Sequence, residues 1–398
     1  MDATLVGIIL FSALQTCNAL SPVVIVPGTG GNQLEAKLVN KPAKPAFYCY
    51  SSTSSYFRLW LDIKSLLPYA LTCWVDNIRL EWDMQSMTVK NPQGVLTRVP
   101  GFGDTSSIEA LDSMGLVKYM KPLVDYLVRL GYRKGKNIRG APYDFRYSPD
   151  YLPSNYHNKL KNLIEETYTH NGNEKVTLIS HSYGCPVTLY FLSLQSTEWK
   201  TKYLKQWIAL SGVFGGSKQL VLLYSSGYLE GIPQVIIDRL TIRAEQRSST
   251  SNLFLLPSET VWKQDNIFAT TRKRSYKLSD MDDFLKDIGF PEGVAMKKHM
   301  INTTHLMNTS PGVPIHCFHG NIADSTISKL VFDDDFPDSP SQLILGPGDG
   351  TVNQESLTLC RKFTSLQQQP VTVKEVSGAN HNGVIGHTDV LESIKKLL

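Results

Sequence analysis

The sequence predicts an α/β protein built on a mainly parallel central sheet. Three observations carry this. Pro22-Val-Val-Ile-Val26 and Val176-Thr-Leu-Ile-Ser180 are continuous runs rich in β-branched residues, the pattern of strands buried on both faces. Runs of this kind alternate with helical patterns along the chain. The second run leads through a Ser-centred turn directly into an apolar helix, Val187-Thr-Leu-Tyr-Phe-Leu192.

The first strand, Pro22–Val26, ends in Pro27-Gly-Thr-Gly-Gly31, a loop too glycine-rich to continue it. A helix is predicted over about 156–168, because Leu160, Leu163, Ile164 and Thr167 stand at i, i+3, i+4 and i+7. The strand Val176–Ser180 follows. Trp207–Ser211, Pro314–Phe318, Leu343–Leu345 and Val371–Val376 are further strands. The stretch Asp389–Leu398 reads as an amphipathic helix with its acidic residue near the N-terminus. Two segments interrupt the alternation. Residues 48–80 are rich in Tyr, Trp and Leu, and residues 214–312 lack strong strand signals. Both read as excursions from the core.

Composition bounds the class. With 398 residues and 42% apolar content, the chain can bury a large core. A charged fraction of 19% is too low for a disordered chain. The net charge of +4 and a longest basic run of Arg272-Lys-Arg274 argue against nucleic acid as a partner. The apolar run Leu5–Leu14, followed by Cys17-Asn-Ala19, reads as a signal peptide over 1–19, which sends the chain into the secretory pathway. Its removal leaves Cys49, Cys73, Cys185, Cys317 and Cys360, an odd set. Two disulfides and one free thiol is the simple solution. Nearest-neighbour pairing ranks Cys49–Cys73 and Cys317–Cys360 first, with other pairings open. Asn302-Thr-Thr and Asn308-Thr-Ser are glycosylation sequons that suit the same route.

Ser180-His-Ser-Tyr-Gly184 lies between strand and helix, with Pro186 in the helix's first turn. A strand, a sharp Ser-centred turn and a helix make the nucleophile elbow of α/β-hydrolases. It lifts the Ser182 hydroxyl above the sheet at a helix N-terminus, where negative charge is favoured. In that fold the acid and then the base follow the nucleophile along the chain. Asp349 sits in the turn Gly346-Pro-Gly-Asp-Gly-Thr-Val352, after a strand. His381 sits in Ser377-Gly-Ala-Asn-His-Asn-Gly383, between a strand and the last helix. The sequence thus predicts a Ser182–Asp349–His381 triad. His387 is the second choice as base and reads more as a cap or surface residue, and His316 and His319 read as structural. The oxyanion hole needs two N–H groups, one after the nucleophile and one from the loop after the first strand. Tyr183 and Thr29 meet those requirements. A phosphate-cradling loop at 27–31 is the weaker rival reading, because no Lys follows in the P-loop position and the spacing is not GxGxxG.

Tyr56-Phe-Arg-Leu-Trp-Leu61, Ile63, Leu66 and Leu67 lie between Cys49 and Cys73. A segment this apolar either packs inside or meets a lipid surface. Trp60 and Trp74 suit an interface.

Several long stretches carry a resemblance: Pro-Val-Val-Ile-Val-Pro-Gly from Pro22, Gly-Asn-Gln-Leu-Glu-Ala from Gly31, Cys-Trp-Val-Asp-Asn-Ile-Arg-Leu from Cys73, Arg-Val-Pro-Gly-Phe-Gly from Arg98, Arg-Gly-Ala-Pro-Tyr-Asp-Phe-Arg from Arg139 and Gly-Asp-Gly-Thr-Val-Asn from Gly348. On these the chain resembles the lysosomal phospholipase A2 (group XV) and lecithin–cholesterol acyltransferase family, nearer its lysosomal branch.

The resemblance implies a calcium-independent enzyme with no cofactor or metal. It would move an acyl chain from glycerophospholipid to water or to a lipophilic alcohol such as ceramide. It implies the same triad and the same two disulfides. It divides the chain into a hydrolase core (20–47, 80–213 and 313–398), a membrane-binding subdomain (48–79) and a cap (214–312) with a mobile lid near Ser225–Arg243. Trp60, Leu61, Leu66, Leu67 and Lys218 fall among residues that meet lipid. The implied partners are a phospholipid membrane or lipoprotein surface and an alcohol acceptor. The implied setting is lysosomal or secreted, as a monomer. Three positions depart from the family: Thr29 stands where lysosomal members carry Asp, Tyr183 replaces Met or Leu, and Ser180 replaces Ala. The competing readings are a secreted phosphatidylcholine–sterol acyltransferase, an inert lipid-binding homologue and a serine peptidase.

Overall fold

A computed structural model describes residues 20–153, 155–228 and 238–398, excluding the side chains of 301 and 302. The expected signal peptide (1–19), the middle of the expected lid (229–237) and the side chain of Asn302 lie outside the described residues. Asn308 is exposed.

Among the described residues the main sheet has nine strands. Parallel neighbours run in the order Val371–Ser377, Ile315–Val331, Leu204–Leu210, Val176–His181, Val23–Val26 and Ile138–Gly140. All four residues of Val23–Val26 are buried, as the continuous apolar run requires. Their side chains alternate between two cores. Val24 and Val26 pack on one face with Leu160, Ile164 and Val187. Val23 and Ile25 pack on the other with Leu123, Val124, Leu127, Val390 and Ile394. Each of these fully buried aliphatic side chains contributes roughly 1.5–3 kcal/mol relative to exposure. The helix Tyr156–His170 buries Leu160, Leu163, Ile164 and Thr167, the stripe read from its periodicity. The terminal helix Thr388–Leu397 buries Val390, Leu391 and Ile394.

The excursions are tied to the core more closely than their composition indicates. Within 214–312, Ile267–Thr270 and Ser275–Lys277 form a hairpin that joins the main sheet, with Ala269 opposite Leu330 and Thr270 opposite Val331. These strands are short and flank a basic turn, so neither gives a legible period. Within 48–79, Phe57–Trp60 pairs with Leu34–Leu38, which also pairs with Val95–Arg98. The helix Pro68–Ile78 follows and buries Leu71, Trp74, Val75 and Ile78. Disulfides join Cys49 to Cys73 and Cys317 to Cys360. Cys185 is a buried free thiol, its pKa pushed up to about 12 by burial. No helix among the described residues is long and apolar enough to cross a membrane.

Candidate active site

Ser182 follows the strand Val176–His181 and precedes the helix Gly184–Ser193. Its φ is +56°, a conformation costly for a residue with a Cβ and characteristic of a strained elbow. The surroundings hold it there. Its N–H donates to the Leu210 carbonyl at 2.9 Å, and its carbonyl accepts from the Cys185 N–H at 3.0 Å. The residue two further on must be glycine. A Cβ at Gly184 would stand 2.4 Å from the Pro27 carbonyl oxygen and 2.6 Å from that of Val26. Ser180 is fully buried with both hydroxyl roles filled: it accepts from Trp207 Nε1 at 2.7 Å and donates to Cys185 Sγ at 3.2 Å.

The three residues expected to act together meet at the carboxyl edge of the sheet. Ser182 Oγ lies 2.9 Å from His381 Nε2. His381 Nδ1 lies 2.8 Å from Asp349 Oδ2. The His381 N–H also donates to the Asp349 carbonyl at 2.9 Å, fixing the two loops to each other. Asp349 is fully buried. Burial opposes its charge, but the His381 ring and the N–H groups of Val352 and Thr351 outweigh burial and hold its pKa below the usual carboxylate value. Those N–H groups donate to Oδ1 at 2.8 and 3.2 Å, leaving Oδ2 for the imidazole. His387 caps the last helix through Asp389 N–H. His316 and His319 bond to Thr372 Oγ1 and the Gly320 carbonyl, away from Ser182.

Ser182 and His381 open into a cleft of about 830 Å³, within the roughly 300–1,000 Å³ usual for ligand sites. Its wall is mostly apolar. Thr29, Trp60, Leu61, Leu66 and Leu67 all line it. The Trp60 indole donates to the Gly30 carbonyl at 2.8 Å, so the 48–79 excursion braces the loop that carries Thr29. Gly30 has φ +63° and lies under that indole, which a side chain would crowd. The backbone of Tyr183 heads the helix Gly184–Ser193, while its buried phenol donates to the Tyr147 carbonyl at 2.8 Å. One expectation needs correction. The resemblance sends Lys218 to a lipid head group, but its side chain is 3% exposed and does not line the cleft. Its ammonium lies 5.5 Å from the centre of the Trp262 ring, where burial lowers its pKa.

Two residues at the site have no counterpart in the sequence reading. Tyr119 Oη lies 2.5 Å from His181 Nδ1 and accepts from Gly28 N–H at 2.9 Å. His181 Nε2 lies 2.9 Å from the His381 carbonyl. The chain-order rule looks for a base only after Ser182, so it passes over His181. Tyr119 carries no motif.

The family model for lecithin:cholesterol acyltransferase matches residues 56–310 and 291–393. The chain is 40% identical over 382 residues to the lysosomal phospholipase A and acyltransferase of Bos taurus, covering 95% of this chain and 91% of that protein. The chain belongs to the lecithin:cholesterol acyltransferase family. Within it, the chain is also 36% identical to the phosphatidylcholine-sterol acyltransferase of Gallus gallus over 369 residues, covering 92% of this chain and 88% of that protein. Among solved structures, a chain of the Tle4–Tli4 complex has a TM-score of 0.51 at 14% identity, covering 95% of this chain and 98% of that one. That likeness concerns the fold, an α/β-hydrolase with a mainly parallel sheet. The lecithin:cholesterol acyltransferase family match thus spans the apolar wall at 57–67, the elbow and the loops of Asp349 and His381.

Proposed function

We propose that this chain is a serine lipid acyl hydrolase and transacylase acting through an acyl-enzyme on Ser182. The observation that carries the reading is the hydrogen-bonded line from Ser182 Oγ through His381 to the buried Asp349, opening at the floor of an apolar cleft. Relatives named as lysosomal phospholipase A and acyltransferase and as phosphatidylcholine-sterol acyltransferase support the substrate class.

The chemistry follows from the positions. Ser182 Oγ attacks the ester carbonyl of a glycerophospholipid while its proton passes to His381 Nε2. Asp349 holds the Nδ1–H tautomer and stabilises the imidazolium. The oxyanion is taken by the backbone N–H groups of Thr29 and Tyr183. His381 then returns the proton to the departing lysophospholipid oxygen, leaving the acyl group on Ser182. Water or a lipophilic alcohol such as ceramide attacks next, giving up its proton to His381 and taking the acyl chain, and His381 returns that proton to Ser182 Oγ as the acyl bond breaks. No step calls on calcium.

The 48–79 segment reads as the docking element. Exposed aromatic rings gather around the Cys49–Cys73 bridge: Phe47, just before the segment, and Tyr50 flank Cys49, and Tyr69 stands one helical turn before Cys73. Solvent-facing aromatic rings suit a lipid interface. The segment 214–312 then serves as the cap over the cleft, within a lysosomal or secreted setting.

The test is product analysis from phosphatidylcholine liposomes with no acceptor, with N-acylsphingosine and with cholesterol. Acyl transfer to N-acylsphingosine with fatty acid release is the expected result. Transfer to cholesterol alone would favour the sterol acyltransferase reading. No turnover together with no fluorophosphonate label on Ser182 would leave an inert lipid-binding scaffold.

A further inference from the structure

Beyond the three residues above, one buried polar chain crosses the site. It runs from Gly28 N–H to Tyr119 Oη (2.9 Å), from Tyr119 Oη to His181 Nδ1 (2.5 Å) and from His181 Nε2 to the carbonyl of His381 (2.9 Å). Its ends are the loop that carries Thr29 and the residue that faces the nucleophile. We propose that Tyr119 and His181 are positioning residues that lock the oxyanion loop to the backbone of His381. The inference rests on the acyl-enzyme reading of Ser182.

The direction of each bond is set by elimination. The His381 carbonyl can only accept, so His181 Nε2 carries a hydrogen. In a neutral ring Nδ1 is then an acceptor, and the Tyr119 hydroxyl donates to it. That leaves the Tyr119 oxygen lone pairs for Gly28 N–H. Each N–H and O–H in the chain donates once, and the chain holds only while both rings stay in these protonation states. Burial secures them. It drives the His181 pKa down to about 3, helped by the neighbouring His381, and raises that of Tyr119. Protonated His181 would turn a second donor on the Tyr119 hydroxyl and displace its proton.

The placement has consequences for the reaction. His181 immediately precedes Ser182 at the strand end, so one residue adjoins the nucleophile in the chain, bonds the carbonyl of the base and, through Tyr119, reaches the oxyanion loop. There is little slack. A Cβ at Gly28 would lie 2.8 Å from Ser182 Cβ and 2.9 Å from Tyr119 Oη. Small displacements of a preorganised donor from the developing oxyanion lower kcat more than substrate binding.

The experiment uses the full chain and Tyr119→Phe, His181→Leu and His181→Gln. A fluorophosphonate is reacted to completion to count competent sites. Then kcat and KM for a soluble short-chain ester are measured per titrated site. The expected result is at least a fivefold loss of kcat in Tyr119→Phe and His181→Leu, with KM within twofold of the parent. His181→Gln, whose amide can still donate to the His381 carbonyl, recovers part of that loss. A purely structural role lowers the number of titrated sites and leaves kcat per site unchanged. A kcat loss below fivefold, a loss confined to KM, or a Gln variant no better than Leu overturns the positioning role. Tyr119→Phe removes one oxygen atom, which keeps the test informative if His181→Leu does not fold. An unlabelled parent chain would instead overturn the acyl-enzyme reading, and the positioning role with it.

Discussion

The rings of His181 and His381 lie 4.8 Å apart, centre to centre, yet only His381 faces Ser182. The difference lies in their partners. His381 uses Nδ1 on the Asp349 carboxylate and keeps Nε2 for the serine hydroxyl. His181 spends Nδ1 on Tyr119 and Nε2 on a carbonyl, leaving no nitrogen for a substrate. Two adjacent imidazoles thus hold different roles through the atoms around them.

The first prediction concerns pH. The folded His181 titrates at about 3, whereas an unfolded His titrates near 6.5. Its neutral form is favoured in the fold, so its stability contribution is complete above pH 6.5 and is lost as pH falls toward 3. Between pH 6.5 and 5 this one ring should cost about 2 kcal/mol. Urea unfolding at pH 7 and pH 5 checks it: His181→Gln should lose less stability on acidification than the parent by about that amount. Equal losses in both chains would show that this ring does not titrate as described.

The second prediction addresses the reacting groups. Ser182→Ala should abolish fluorophosphonate labelling and turnover. Asp349→Asn should lower kcat by about 10⁴ with little change in KM, because the amide cannot hold the same His381 tautomer. The Thr351 and Val352 N–H donors can still bond the amide oxygen, so thermal melts should find the variant folded. Retention of even a tenth of the parent kcat would remove Asp349 from the mechanism.

Much of this site was legible because its parts are local or ordered along the chain. The elbow is five consecutive residues in a strand–helix setting, and chain order narrows the acid and base to late loops. Asp349 and His381 each sit among glycines after a strand. What sequence could not carry is lateral contact. Tyr119 meets His181 across 62 positions with no spacing that marks either. The Ile267–Thr270 strand is too short for its period to be read, and its pairings with Ser275–Lys277 and with Leu330 and Val331 define it. Lys218 fails for a related reason. The resemblance places it among lipid contacts, but neighbours such as Trp262, 44 positions further along, bury it.

A third prediction follows from the packing under the elbow. Gly184→Ala would press a methyl group against the carbonyl oxygens of Pro27 and Val26. Both obstacles are backbone, so no side chain can swing away. The cost should be about 1–3 kcal/mol, typical of overpacking. The displaced segment also carries Thr29, so activity should fall at least tenfold beyond the stability loss. A thermal melt paired with kcat per labelled site separates the two effects. A variant with parent-like kcat would mean that the oxyanion loop tolerates the shift.

The last prediction concerns docking on lipid. Phe47 is 91% exposed and Tyr69 is 69% exposed, and neither lines the cleft. The Cys49–Cys73 bridge holds the two segments that carry them together. Rings left in water at this level gain from entering a bilayer interface, and losing one apolar side chain there costs about 1.5–3 kcal/mol. Each 1.4 kcal/mol is about tenfold in affinity. Phe47→Asp with Tyr69→Asp should therefore weaken co-sedimentation with phosphatidylcholine vesicles by at least tenfold. Hydrolysis of a soluble ester should stay within about threefold of the parent, since Ser182, His381 and Asp349 are untouched. Opening the bridge with Cys49→Ser and Cys73→Ser should weaken vesicle binding too. It should also cost about 3–4 kcal/mol of stability in the chain-entropy account of a loop this long. Unchanged sedimentation in the double aspartate variant would mean that the chain meets lipid through another face, and that these rings are ordinary surface.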